Sequence, residues 1–297
     1  MFPMNEIFAF AKRNCLIYFR DRSSVFFSLL GALIVILLYL IFLRNNLVDS
    51  IAAALPASFP YDIDSVRGMV DAWVLSGVIA IVSVTTTVGA FQTMIQDKVD
   101  GRYRDALMTT MSPVMISASY VLSTFAVGLI MSVITFVISV IFLMMTGTSL
   151  SVQGTLLTLV LTVPASLSSS IILYAIVSAI KSAGAFSGLY TILSVLIGFL
   201  TGTYMPLGTM DGWMQNVSAL VPATHIATMM RNIFGKDSFD AVFSTAPTDV
   251  ADNIWNMMGY DITLFGFDFT PVTSILYVIG VTALFFVIAV AVSRKNV

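Results

Sequence analysis

Six stretches of the chain are apolar throughout, and the polar residues gather between them. They are Val25–Leu43, Ala72–Met94, Val114–Met145, Thr155–Ile180, Ala185–Tyr204 and Pro271–Val292. None alternates apolar and polar positions as a half-buried strand does. Each is close to or above the ~20 helical residues that cross a hydrocarbon core of roughly 30 Å. In lipid, every backbone amide must be bonded inside its own segment or in a closed barrel. The pattern therefore predicts an all-α integral membrane protein with six transmembrane helices, a single transmembrane domain over residues 1–297.

The segments between the runs differ in character. In residues 1–24, Ile7, Phe8, Ala11, Cys15, Ile17 and Phe19 are interleaved with Lys12, Arg13, Arg20 and Arg22. That mixture predicts a helix lying in the membrane interface. Residues 44–71, with Pro56, Pro60, Asp62 and Asp64, read as a loop, and residues 95–113 as the main loop on the other side. Only Lys181 and a few small residues part the fourth and fifth runs, so those helices are expected to be antiparallel neighbours. Residues 205–270 form the longest interruption. Met205–Phe234 is too apolar for a solvated loop, yet Pro206, Asp211, Gly212, Pro222 and Arg231 make it a poor span. Short re-entrant helices fit it, since non-spanning structure at membrane depth is tolerated when buried in protein. Residues 235–270 are more polar and are expected to cap the same face.

Charge sharpens this picture. The chain is 58% hydrophobic and 10% charged, against about 45–50% and 25% in a soluble domain. None of the 14 Lys and Arg or 16 Asp and Glu residues falls inside a run. No ionisable side chain is thus expected at the bilayer midplane, which leaves an ion-driven mechanism little to work with. With both termini in the cytosol, ten basic residues face the cytosol and four (Arg44, Arg67, Arg231 and Lys236) face outside. The positive-inside rule selects that orientation, in a cell membrane. The lone Cys15 cannot form an intramolecular disulfide, and the lone His225 has no neighbours suited to a catalytic or metal site. No catalytic residue and no metal site is expected.

Two segments carry candidate function. In Asp97-Lys98-Val99-Asp100-Gly101-Arg102-Tyr103-Arg104-Asp105-Ala106-Leu107, charges of both signs flank one glycine and lead into a helix-compatible stretch. It is either a docking surface for a cytosolic protein or a solvated loop. Small and hydroxylated residues also recur at helical spacing. Ser76, Ser83 and Thr87 stand on the second run; Gly184, Gly188, Thr191, Ser194, Gly198 and Thr201 descend the fifth. Such stripes allow close helix packing, or form the weakly polar wall of a substrate path.

The pattern Asp97-Lys98-x-x-Gly101-Arg102-x-Arg104-Asp105-x-Leu107 resembles the cytosolic loop of ATP-binding-cassette (ABC) type-2 permeases. Proline usually follows that leucine closely in the family; here Thr110 is near its place and the proline is Pro113. A second match runs from Gly198 through Thr201-Gly202-Thr203-Tyr204-Met205-Pro206-Leu207 and Trp213 to Val221-Pro222-x-Thr224-His225 and Arg231. It is similar to the ending of the family's fifth span and its external re-entrant helices.

The resemblance implies the fold of a type-2 permease, like a type V exporter, and the role of membrane subunit in an ABC exporter. It implies coupling to an ABC ATPase through Asp97, Lys98, Gly101, Arg102, Arg104 and Asp105. It also implies a path lined by Ser76, Ser83, Thr87, Thr191, Ser194 and Gly198 at a homodimer or heterodimer of permease chains. An external gate would include Met205, Pro206 and Pro222. ATP and Mg would bind the partner ATPase, since the chain has no G-x-x-x-x-G-K-[ST] cradle. Membrane lipid is an expected partner and nucleic acid is not; the cargo class is a drug, peptide or lipid-like molecule. The alternative is an ion-coupled secondary carrier, with sodium held by backbone carbonyls.

Overall fold

The computed structural model describes residues 3–56, 59 and 61–295. Met1 and Phe2 of the expected interfacial segment, and Pro60 of the expected first loop, lie outside the described residues. Helix α1 (Pro3–Arg20) leads into α2 (Arg22–Leu38). A π-helical turn, Tyr39–Leu43, then joins α2 to α3 (Arg44–Ala54). The chain returns through α4 (Ile63–Ala90), α5 (Gln92–Val99) and α6 (Arg102–Leu107). Three long helices follow: α7 (Pro113–Met145), α8 (Val152–Val177) and α9 (Ala183–Leu200). A cap comes next, made of a single 3₁₀ turn at Leu207–Thr209 and helices α10 (Gly212–Ala219), α11 (Pro222–Phe234), α12 (Lys236–Phe243) and α13 (Thr248–Met258). A hairpin of β1 (Ile262–Leu264) and β2 (Phe267–Phe269) precedes α14 (Pro271–Lys295).

Among the described residues six helices are long and apolar enough to cross a membrane, within Ile36–Ala54, Ile63–Val99, Pro113–Met145, Val152–Val177, Ala183–Leu200 and Pro271–Arg294. The protein is an all-α, multi-pass membrane protein. Helices α1, α5 and α6, the α8–α9 turn and the end of α14 near Ser293 share one face. The cap sits on the opposite face, where Ser151 N donates to Asp237 and Ser238 Oγ donates to the Ser149 carbonyl. Local sequence sets the helix starts: Asp62, Ser112, Ser151 and Ser182 each accept a hydrogen bond from the backbone N–H three residues on.

Helix α4 is the axis of the molecule. Its most apolar window is 89% buried, against 17% for α9 and 11% for α14. Its upper part packs Val70, Trp73 and Val74 with residues of α12 and α13 such as Phe239, Val242 and Ile254. Its lower part packs Ile81, Val84 and Val88 with Leu193 and Ile197 of α9 and Leu173 and Val177 of α8. Buried hydroxyls along α4 bond carbonyls of their own helix: Ser76 to Ala72, Ser83 to Ala80, Thr86 to Val82 and Thr87 to Ser83. Each can therefore be enclosed without an unsatisfied group.

Four expectations change. Residues 44–71 are not a loop. The helix runs on to Ala54 and the next begins at Ile63, because Leu47, Val48 and Ile51 continue an apolar face that packs on the core past Arg44. The spans are therefore not free of charge, since α4 carries Asp71 fully buried. The re-entrant segment also brings Arg231, 0% exposed, alongside α4. The first helix buries Ala11, Asn14 and Tyr18, while Phe8 faces outward. Finally, the cap contains a β-hairpin, with Ile262 opposite Phe269 and a two-residue turn, Phe265-Gly266, both at positive φ.

Candidate functional site

The charged segment after α4 folds into a helical hairpin. Gly101, at φ +83°, takes the left-handed conformation that reverses the chain between α5 and α6. Its charges then separate into two groups. Asp97 turns inward and is 1% exposed. Arg13 of α1 donates to it through Nη1 at 2.5 Å and Nη2 at 3.0 Å. Tyr120 of α7 donates its hydroxyl at 2.8 Å, and Arg102 Nε lies 3.2 Å away. One buried carboxylate thus ties α1, α5, α6 and α7 together. The same hydrogen bond holds the Arg13 guanidinium above its ordinary range. Lys98 is the second internal anchor: its Nζ donates to the carbonyls of Ser178 and Ile180, where α8 ends. That position also suits a cation at a helix C-terminus.

The second group points outward. Asp100, Arg102, Arg104 and Asp105 are exposed, with Asp100 and Arg102 paired to each other. Met108, 88% exposed, projects from the end of α6. Ser112 and Pro113 start the next helix, so α6 ends at Leu107 with no proline beside it. Six residues expected to act together are therefore divided. Arg104 and Asp105 present a surface, Arg102 bridges surface and interior, Gly101 makes the turn, and Asp97 and Lys98 lock the hairpin to the spans.

The two hydroxyl stripes do not face each other. Ser83 and Thr87 of α4 face α7: a Cβ placed on Gly128 would collide with Thr87 Oγ1 and approach the Ser83 carbonyl. Ser76, Ser83 and Thr87 are all buried inside the protomer. The face of α4 toward α9 is apolar instead, formed by Ile81, Val84 and Val88. On α9 the stripe is open: Gly184, Gly188 and Thr191 are exposed and Ser194 is half-buried. Gly198 is covered, because the Tyr204 ring lies where a side chain on Gly198 would go. Tyr204 N donates to the Gly198 carbonyl at 3.1 Å, which folds the segment after α9 back over the helix end.

At the capped face, Met205 is exposed, Pro206 is buried, and Pro222 occupies the first turn of α11. His225 fixes that helix. Its Nε2 donates to the Ala219 carbonyl at 2.8 Å, and Nδ1 accepts from Ser274 Oγ at 3.2 Å. Burial lowers the His225 pKa, so the ring is neutral and works as a strut between α10, α11 and α14.

The family model described as ABC-2 family transporter protein matches residues 48–292. The chain belongs to this family. No curated protein matches it. As an ABC-2 permease it is a membrane transport subunit, and the family implies an ABC ATPase partner and typically a dimer.

The permease contains charge contacts that its sequence did not announce. Arg44 Nε and Nη2 meet Asp71 at 2.8 and 2.5 Å, and Tyr39 Oη donates to the same carboxylate at 2.8 Å. The π turn between Tyr39 and Leu43 brings both donors onto one face, a use such turns often serve. Arg13 and Tyr120 were likewise unmarked, being 84 and 23 residues from Asp97. The one available signal was Arg13 itself, a basic residue on the packed side of an amphipathic helix.

Proposed function

We propose that this permease is the membrane-spanning subunit of an ATP-driven exporter in the cell membrane, with both termini in the cytosol. Separate ATPase subunits, carrying ATP and Mg, dock on the outer surface of α6. Two permease chains, identical or paralogous, form the path between them. The observation that carries this reading is the division of charge at residues 97–105. An exposed patch of Arg104, Asp105 and Met108 is joined through Arg102 and Asp97 to Arg13 on α1 and Tyr120 on α7.

A push on α6 then reaches three helices at once. It passes to α1 and α7 through Asp97, and to the α8–α9 turn through Lys98. Buried bonds of this kind transmit displacement because the packed interior does not deform continuously. The exposed Gly184–Gly188–Thr191 face of α9 suits close approach of a second chain. Its neighbours Ile192 and Val195 offer an apolar wall to a drug, peptide or lipid-like cargo. A carrier coupled to ions through a carboxylate would need that group open to the path; Asp71 is already committed to Arg44 and Tyr39.

The test replaces Arg104 with Glu and Met108 with Asp, leaving Asp97 and its partners intact. Loss of ATPase co-purification and of stimulated ATP hydrolysis in a folded permease is expected. Unchanged binding and hydrolysis would remove the docking surface from α6.

A further inference from the structure

The guanidinium of Arg231 is fully buried and has no acidic partner among the described residues. It lies against Gly77 of α4, where an added Cβ would come within 2.9 Å of its Nη2. Gly77 is roughly 20 Å down the helix from Ile63, at about 1.5 Å per residue. The cation is therefore deep within the height of the spans, carried there by the re-entrant helix α11.

Its surroundings stabilise it only in part. The Cζ atom sits 4.4 Å from the centroid of the Trp73 ring. Trp73 Nε1 donates to the Met258 carbonyl, which fixes the indole face toward the cation. Nη2 donates to Thr203 Oγ1 at 3.3 Å, a long bond to a neutral oxygen. Nε and Nη1 have no hydrogen-bond partner among the described residues. The buried hydroxyl of Tyr260, which adjoins Arg231 at Gly235, is also unpartnered. A ring face and one hydroxyl do not offset the loss of hydration of a buried charge. A water molecule would satisfy N–H groups without balancing that charge. A monatomic anion meets these donors and brings no further acceptor oxygen that the buried site would have to satisfy.

We propose that Arg231 holds a single small halide, chloride under physiological conditions, through Nε and Nη1, with the Tyr260 hydroxyl in its shell. Asn232 Oδ1, a buried acceptor without a partner, cannot face the anion and suits a water beside it. The ion neutralises the charge on α11 and holds the re-entrant helix against Trp73 and Gly77. This site is separate from the α6 surface and does not depend on the docking reading.

Thermal unfolding of the purified permease in sodium gluconate, titrated with sodium chloride or bromide at constant ionic strength, tests it. A saturable rise in Tm of several degrees is expected. Tyr260→Phe, which keeps the cation, should need severalfold more halide for the same rise, and Arg231→Met should show none. Identical melting in gluconate and chloride overturns the proposal, as does a halide-induced rise that persists in Arg231→Met. Should Arg231→Met fail to fold, anomalous scattering from bromide in the wild-type protein decides. A peak beside Arg231 supports the site, and its absence rejects it.

Discussion

Arg13 grips Asp97 with both arms of its guanidinium, joining the first helix to the hairpin that follows α4 across 84 residues of chain. Asp97 is almost fully enclosed, while Arg13 keeps about a third of its side chain exposed. Asp97→Ala should therefore destabilise by about 2–3 kcal/mol, somewhat less than the loss of a fully buried pair. ATPase stimulation should fall further than in Arg104→Ala, because the link to α1 and α7 goes as well. Stimulated hydrolysis equal to wild type in folded Asp97→Ala would show that the link carries no force.

Arg44 and Asp71 form the counterpart at the other end of α4, with the carboxylate 0% exposed. Arg44→Ala strands that carboxylate with Tyr39 alone and should cost about 3–5 kcal/mol. Replacing both residues, Arg44→Met with Asp71→Leu, should recover most of the loss. Thermal unfolding of the two single variants and the double variant measures the coupling; additive losses would mean the pair is not energetically joined.

Gly198 is the seat of the Tyr204 ring. Gly198→Ala forces the ring away and should cost about 1–3 kcal/mol, the usual range for overpacking. In a Tyr204→Ala background the same change should be nearly neutral. A penalty unchanged by the loss of Tyr204 would place the clash elsewhere.

His225 gives the capped face a pH dependence. Burial lowers its pKa from 6.5, so the folded protein keeps the ring neutral where the unfolded chain takes up a proton. Its contribution is complete above pH 6.5 and is lost as pH falls through the lowered native value. The slope approaches about 1.4 kcal/mol per pH unit between the two. Melting curves from pH 7.5 to 5 should show this loss, and His225→Gln should flatten it.

Thr191 reports on assembly. In a Cys15→Ser background, Thr191→Cys should form a disulfide between two permease chains under mild oxidation, since that face of α9 is open. Ile171→Cys, buried within the protomer, should not. Absence of the Thr191 cross-link in an active complex would move the interface off α9.

How legible was this molecule? The spans were plain because a run of apolar residues has one stable form in lipid; the capping serines Ser112, Ser151 and Ser182, which start three of the helices, went unread. The first span was cut short at Arg44 because a charge reads as the end of a span; Asp71, which neutralises it, stood at the far end of the supposed loop. The hydroxyls of α4 looked like the wall of a path because Ser83 and Thr87 have the same spacing whether they meet cargo or Gly128. Asp97 looked like a docking charge for a similar reason. The charges that follow from Asp100 to Asp105 are exposed, and the residue that claims Asp97 is on another helix. What sequence lacks in each case is the identity of the facing surface. The Phe265-Gly266 turn was a local signal that went unread beside so much helix.

Helix α4 enters the membrane before α7, α8, α9 and α11, the helices that come to enclose it. Synthesis delivers the chain in that order, so α4 first meets lipid where it will later meet protein. Its Ser76, Ser83, Thr86 and Thr87 hydroxyls are already bonded to their own helix by then. Both partners of Asp71, Tyr39 and Arg44, have been made ahead of it. The most enclosed helix of the permease can thus wait in the bilayer for its neighbours with its polar groups already in company.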